Sequence, residues 1–258
     1  MVRLVTKSRL LLFAILLVAD GATQAEDFRI ENRVFVEGKK EAESQSSTFF
    51  QGGTVYDFMS EPAEVTIFDK PSGRFVLLNM TRQEQTELSL TEVAAFAEKL
   101  KQLASKQTDP LSKFFADPKF EERFDAASGD LVLSSPLVTY RITTKAAERP
   151  VVSKQYREFS DWYARLNAML NTGARPPQAR LMVNDALARQ DVLAREVTLT
   201  ITALKNNTPQ KTVVRSEHDW AYELTRSDLD RIENAQKARA NFRSLQYVQY
   251  AKNRNSRR

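Results

Sequence analysis

The chain of 258 residues contains no cysteine and a single histidine. Without cysteine there is no disulfide framework and no lipid-modified amino terminus of the bacterial lipoprotein type, so burial of a core must hold the fold together. One histidine excludes a multi-histidine zinc centre and leaves only carboxylate-rich sites for a metal, and no metal site is expected. That residue, His218, sits between Glu217 and Asp219 on a predicted strand, where neighbours point to opposite faces, and is read as structural or solvated. A serine-hydrolase triad would need it as the base, yet the sequence has no Gly-x-Ser-x-Gly elbow. Glycine is scarce, with seven residues. There is no Gly-x-Gly-x-x-Gly and no phosphate loop, so a nucleotide cradle has little material and no cofactor is expected. After the amino terminus no segment is apolar enough to span a bilayer as a helix.

The amino terminus itself reads as an export signal over residues 1–25. Arg3, Lys7 and Arg9 precede an uninterrupted apolar run from Leu10 to Ala19, and Thr23-Gln24-Ala25 is a small-residue cleavage site. The run is about ten residues, half of what a membrane-spanning helix requires. Cleavage after Ala25 and a periplasmic or secreted location are therefore expected. The net charge of +5 is unevenly placed. Loss of Arg3, Lys7, Arg9 and Asp20 with the leader takes it to +3, and the cations after Glu233 carry +7, which leaves the body at −4. A mildly acidic body argues against a nucleic-acid-binding face. The cations after position 246 (Lys252, Arg254, Arg257 and Arg258) suggest a basic, disordered tail over 246–258, able to touch an anionic membrane surface.

The stretch from Asp27 to Leu88 organises the rest. Phe28, Ile30, Val34 and Val36 alternate with Arg29, Glu31, Arg33 and Glu37, the period of a half-buried strand, and Asn32 is the one polar break on the apolar side. Turns at Gln51-Gly52-Gly53, Glu61-Pro62 and Pro71-Ser72-Gly73 separate further short strands. Loops this short force antiparallel neighbours. Tyr56 and Phe58, Val65 and Ile67, and Phe75 and Leu77 are read as sharing one apolar face.

After Leu88 the period changes to that of helices. Ser89-Leu90-Thr91-Glu92 fits a capping box, with Val93, Phe96, Leu100 and Leu103 expected along one buried side. Asp109-Pro110 opens a short second helix. Strands resume from Phe120 to Thr144, where Val138, Tyr140 and Ile142 alternate with polar residues. Helices are predicted over 153–171 and 178–189, a helical insertion of about 153–190. Val197 to Ala203 and Thr212 to Leu224, the latter carrying Trp220, are strands, and a last helix runs from Thr225 to about Leu245. The expected fold is α+β: one domain over 26–245, an antiparallel, strongly curved, half-barrel-like sheet with helices packed on one face.

This order of elements resembles the LolA-type periplasmic lipoprotein carriers and related half-barrel envelope proteins. The likeness covers Asp27 to Leu88 and Phe120 to Ile142 best; the helices at 153–189 and the tail depart from it. It carries over no functional residue. It implies a half-open barrel with a concave apolar face, binding acyl chains or another lipid without catalysis. The candidate ligand-facing positions are Tyr56, Phe58, Val65, Ile67, Phe75, Leu77, Tyr140 and Trp220, which would otherwise be ordinary core. Two other functions stay open. One is an envelope structural or protein-interaction module with a filled core. The other is a carboxylate-dependent hydrolase, for which Glu121, Glu122 and Asp125, or Glu41 and Glu43, supply clustered acids.

Overall fold

A computed structural model describes residues 25 to 255 apart from 172, 206 and 207. The expected leader up to Gln24, Asn206 and Asn207 between the two late strands, and the tail residues Arg257 and Arg258 lie outside the described residues.

Six short strands form the expected meander, each antiparallel to the next: β1 (Phe28–Val36), β2 (Ser44–Gln51), β3 (Thr54–Met59), β4 (Glu64–Asp69), β5 (Arg74–Asn79) and β6 (Glu84–Ser89). Helices α1 (Leu90–Ser105) and α2 (Pro110–Ala116) follow, then strands β7 (Glu121–Asp125), β8 (Asp130–Ser134) and β9 (Val138–Ala146). Next come α3 (Pro150–Leu170) and α4 (Gln178–Arg189), the long hairpin of β10 (Val192–Lys205) and β11 (Thr208–Ala221), α5 (Arg226–Asn241), the two-residue β12 (Arg243–Ser244) and α6 (Tyr247–Asn255). All strands join one open 12-stranded sheet, antiparallel throughout except for the β12–β6 pair, in the order β12-β6-β5-β4-β3-β2-β1-β11-β10-β9-β8-β7. The first strand thus lies inside the sheet, between β2 and β11.

Local chemistry explains the boundaries. Ser89 and Glu92 close the predicted capping box on α1, and Thr225 and Asp228 close another on α5. Proline at the first turn of α3 starts it three residues before Ser153. Strand β10 begins at Val192, earlier than the alternation from Val197 suggests, because a bulge between Ala194 and Glu196 interrupts the period. The turn between β7 and β8 needs Gly129, whose φ is +74°. A Cβ there would lie 3.3 Å from both the carbonyl oxygen and Oγ1 of Thr144. Gly129→Ala is expected to destabilise by about 1–2 kcal/mol in a urea titration, from the left-handed backbone alone; an unchanged midpoint would contradict this.

Two layers of helix sandwich the meander. On one face Phe28, Ile30, Phe50, Val55, Phe68, Phe75, Leu77 and Leu88 pack against α1, α3 and α6 through Val93, Val152, Phe159, Leu166 and Tyr250. Cross-strand partners continue that face through Ser216, Val197, Ile142 and Leu131. There α2 and α4 cover it with Leu111, Phe115, Val183 and Leu187. The expectation of helices on one face holds for these elements, and α5 adds a second layer: Ile232, Ala235 and Ala238 pack on Phe49, Tyr56, Val65, Ile67, Val76 and Leu78 on the opposite side.

Two expectations need correction. Over its described residues the tail is helical rather than disordered: α6 buries Tyr250, and Arg254 is withdrawn from solvent in an ion pair with Glu64 at 2.9 Å. On α1 the buried line runs through Val93, Ala97 and Ala104. Small residues let the helix approach its neighbours, which turns Phe96 and Leu103 outward, 36% and 51% exposed.

Candidate functional site

The eight candidate positions do not make one surface. The turn at 70–73 pairs Asp69 with Arg74 and Ile67 with Val76, so Val76 and Leu78 continue the face of Tyr56 and Ile67. Tyr56, Phe58, Val65 and Ile67 therefore lie under α5. Phe75, Leu77 and Trp220 lie on the other face with α1, α3 and α6, and Tyr140 packs beneath α2 and α4. All eight belong to packed clusters and none lines the two larger cavities on the helix-covered face of the sheet around α3. The clustered acids are likewise engaged on the surface: Glu122 binds Arg189, Glu43 binds Lys39, and Asp125 accepts from the backbone N–H groups of Ala127 and Ser128.

The first cavity is a polar chamber of about 470 Å³ between β1, β2, β3 and β11 on one side and α3 with Arg180 of α4 on the other. Register creates it. Asn32 stands opposite both Ser46 and His218, while Thr48 stands opposite Asp57. Partners in adjacent strands share a face, so a row of polar side chains crosses four strands where the rest of that face is apolar.

These groups form a continuous hydrogen-bonded chain. The Tyr163 hydroxyl donates to Asp57 Oδ2 at 2.6 Å, and Thr48 donates to Asp57 Oδ1 at 2.7 Å. The Asn32 amide nitrogen donates to Thr48 Oγ1 at 2.9 Å and to Ser46 Oγ at 3.3 Å. Asn32 Oδ1 then accepts from His218 Nδ1 at 2.8 Å, which leaves Nε2 to accept from Ser216 Oγ at 3.1 Å. Every donor in the chain points towards the Asp57 carboxylate.

Burial sets the protonation states. Desolvation raises the Asp57 pKa against the hydrogen bonds from Tyr163, Thr48 and Ser46 that lower it. Burial, then the neighbouring Asp57 charge, pushes the Tyr163 hydroxyl well above its ordinary value. His218 keeps part of its surface open to the chamber but is largely desolvated, and burial followed by the Arg180 charge takes its pKa down to about 3. Ser216, His218 and Asn32 stand in the order of nucleophile, base and orienting amide, while burial and the Arg180 charge both disfavour the imidazolium that a proton transfer from Ser216 would form.

The second cavity is apolar, about 300 Å³, at the amino-terminal end of α3. Its floor is Phe50, Val55 and Phe68 from the sheet; Pro150 and Val151 of α3 face them, with Lys70, Lys154, Gln155 and Glu158 at the rim. Lys70 is paired with Glu158 at 2.7 Å. Lys154 is exposed and has no ion pair or hydrogen bond among the described residues. Ala25 also borders the cleft, and the next residue, Glu26, is anchored: its N–H donates to Gln155 Oε1 at 3.0 Å and its carboxylate binds Arg149 at 2.8 Å.

No family model matches this chain, and no curated protein matches it. Among solved structures it is similar to a LolA superfamily protein from Nitrosomonas europaea. Identity is 9% and the TM-score 0.29, over 80% of this chain and 90% of that one. The resemblance is one of architecture. Sequence reasoning missed both cavities' linings. Asn32 was the visible trace of the polar chamber; for the apolar cleft the floor residues are indistinguishable from core.

Proposed function

We propose that this protein is an exported, non-catalytic binder of amphiphiles that seats one acyl chain or chain-sized apolar group in the cleft over Phe50, Val55 and Phe68. The cleft itself carries this reading: an apolar hollow of small-molecule size with a free lysine at its mouth suits an apolar body with an anionic head. Processing after Ala25 removes that residue from the cleft border and leaves Glu26 as the first residue, held by Gln155 and Arg149. The larger apolar surfaces expected to meet ligand are committed to core, so capacity is one chain.

Native mass spectrometry of residues 26–258, purified from an exporting host and followed by organic extraction, tests the proposal. The expected result is a stoichiometric lipid adduct. Val151→Trp, at a partly buried position on the cleft wall, is expected to abolish it, and Lys154→Glu to weaken anionic lipids about tenfold, near 1.4 kcal/mol. A clean apo mass that also ignores added fatty acids and lysophospholipids, with the fold intact by circular dichroism, would sink the idea. The second reading, an envelope interaction module, would then lead, favoured by the exposed Phe96, Leu103 and Val248.

A further inference from the structure

The polar chamber holds one group with no counterpart. Arg180 faces it from α4, and among the described residues it makes no hydrogen bond and no ion pair. The inner members of the chain, from Ser216 to Tyr163, already satisfy one another, so they form a wall rather than an open demand. What remains available in the lining is the Arg180 guanidinium, the Asn167 amide and the Ser44 hydroxyl, with the second lone pairs of Ser46 and Ser216. A guanidinium offers a planar fork of donors that matches an oxyanion, and its charge gains most where water is partly excluded. With Arg180 the one cation among the described residues of the lining and the Asp57 carboxyl already enclosed by Tyr163, Thr48 and Ser46, the chamber suits a single negative charge better than a phosphate. Amides and hydroxyls at the remaining positions suit a ligand bearing hydroxyls of its own.

From this geometry we infer that the chamber is a second binding site, independent of the apolar cleft, for a small monoanionic hydroxycarboxylate of sugar-acid type, with its carboxylate on Arg180 and its hydroxyls on Asn167, Ser44 and Ser46. The volume of about 470 Å³ is within the range of small-molecule sites. Arg180 is half-buried and, among the described residues, makes no bond to the fold, while its charge reaches the buried His218 and Tyr140, so its guanidinium is left for a ligand.

Isothermal titration of the mature protein with sodium glucuronate, sodium gluconate and glucose tests this. Glucuronate or gluconate is expected to bind, glucose at least about tenfold more weakly, and Arg180→Gln to lose about tenfold or more. Lys154→Glu, which alters the other cleft, is expected to leave this binding unchanged, so failure here and failure of the amphiphile reading are separable. Arg180→Gln is also expected to raise the melting temperature of the ligand-free protein, because it removes a cation that has no partner there. The inference is overturned if neither acid produces a binding heat, if Arg180→Gln binds them as wild type does, or if that variant melts lower without ligand.

Discussion

Arg254→Ala is expected to destabilise the protein by roughly 3–5 kcal/mol, the penalty for leaving a buried carboxylate without its partner. Arg254 Nε lies 3.0 and 2.9 Å from the two oxygens of Glu64, and its Nη1 donates to the Leu170 carbonyl at 2.9 Å. The two side chains are only 10% and 9% exposed. The pair fastens α6 to the start of β4 and to the end of α3 together, so truncation should also release α6. Urea denaturation measures the loss, and hydrogen exchange over 247–255 should rise to that of open chain. The double variant Glu64→Gln with Arg254→Met is expected to recover most of the stability, since two uncharged groups of similar volume carry no stranded charge. A loss below about 1 kcal/mol in the single variant would show that water reaches Glu64.

Tyr163→Phe is expected to cost about 1–3 kcal/mol near neutral pH, by removing a hydrogen bond to the buried Asp57 carboxyl. Tyr163 makes the hydrogen bond that most lowers the pKa of Asp57, whose value already stands above its ordinary 3.8 because of burial. Without the tyrosine hydroxyl that value rises further. The sign follows from proton binding. Between the unfolded value of 3.8 and the raised folded value the native state holds more proton than the unfolded one, so stability is greatest at the acid end and falls as pH rises through the folded value. The deficit of Tyr163→Phe should therefore shrink towards pH 4 and widen above it. A pH-independent deficit would mean that Asp57 is not the acceptor that matters.

Much of the fold was legible wherever one face of a strand is wet. Val138, Tyr140 and Ile142 against Thr139, Arg141 and Thr143 show their buried side directly, and β9 packs as they indicate. Strand β5 is apolar on both faces because helices cover both, and there the alternation carries no sign. Alternation alone therefore groups Phe75 and Leu77 with Ile67, whereas the pairing of Asp69 with Arg74 puts Val76 there. A one-residue shift of register is enough to exchange the faces. The polar chamber was hidden for another reason: Asn32 meets Ser46 across 14 positions but His218 across 186, and nothing local announces the second. In the tail, Tyr250 and Arg254 stand four apart on one helix face, a pattern masked by the other cations around them.

The position of β1 also governs when this protein can become itself. Its inner neighbour β2 begins within a few residues of its end, but its other neighbour, β11, starts at Thr208, and Arg29 must wait for Ala221. A growing chain holds β1 to β6 as a template whose long β1 flank stays raw until almost the whole sequence has been made. Closure of that flank joins the two halves of the sheet in a single late step of high contact order, slow to reach and exposed to wrong partners while it is pending. The β1–β11 seam therefore works as a completeness check, one that no chain ending before Thr208 can pass.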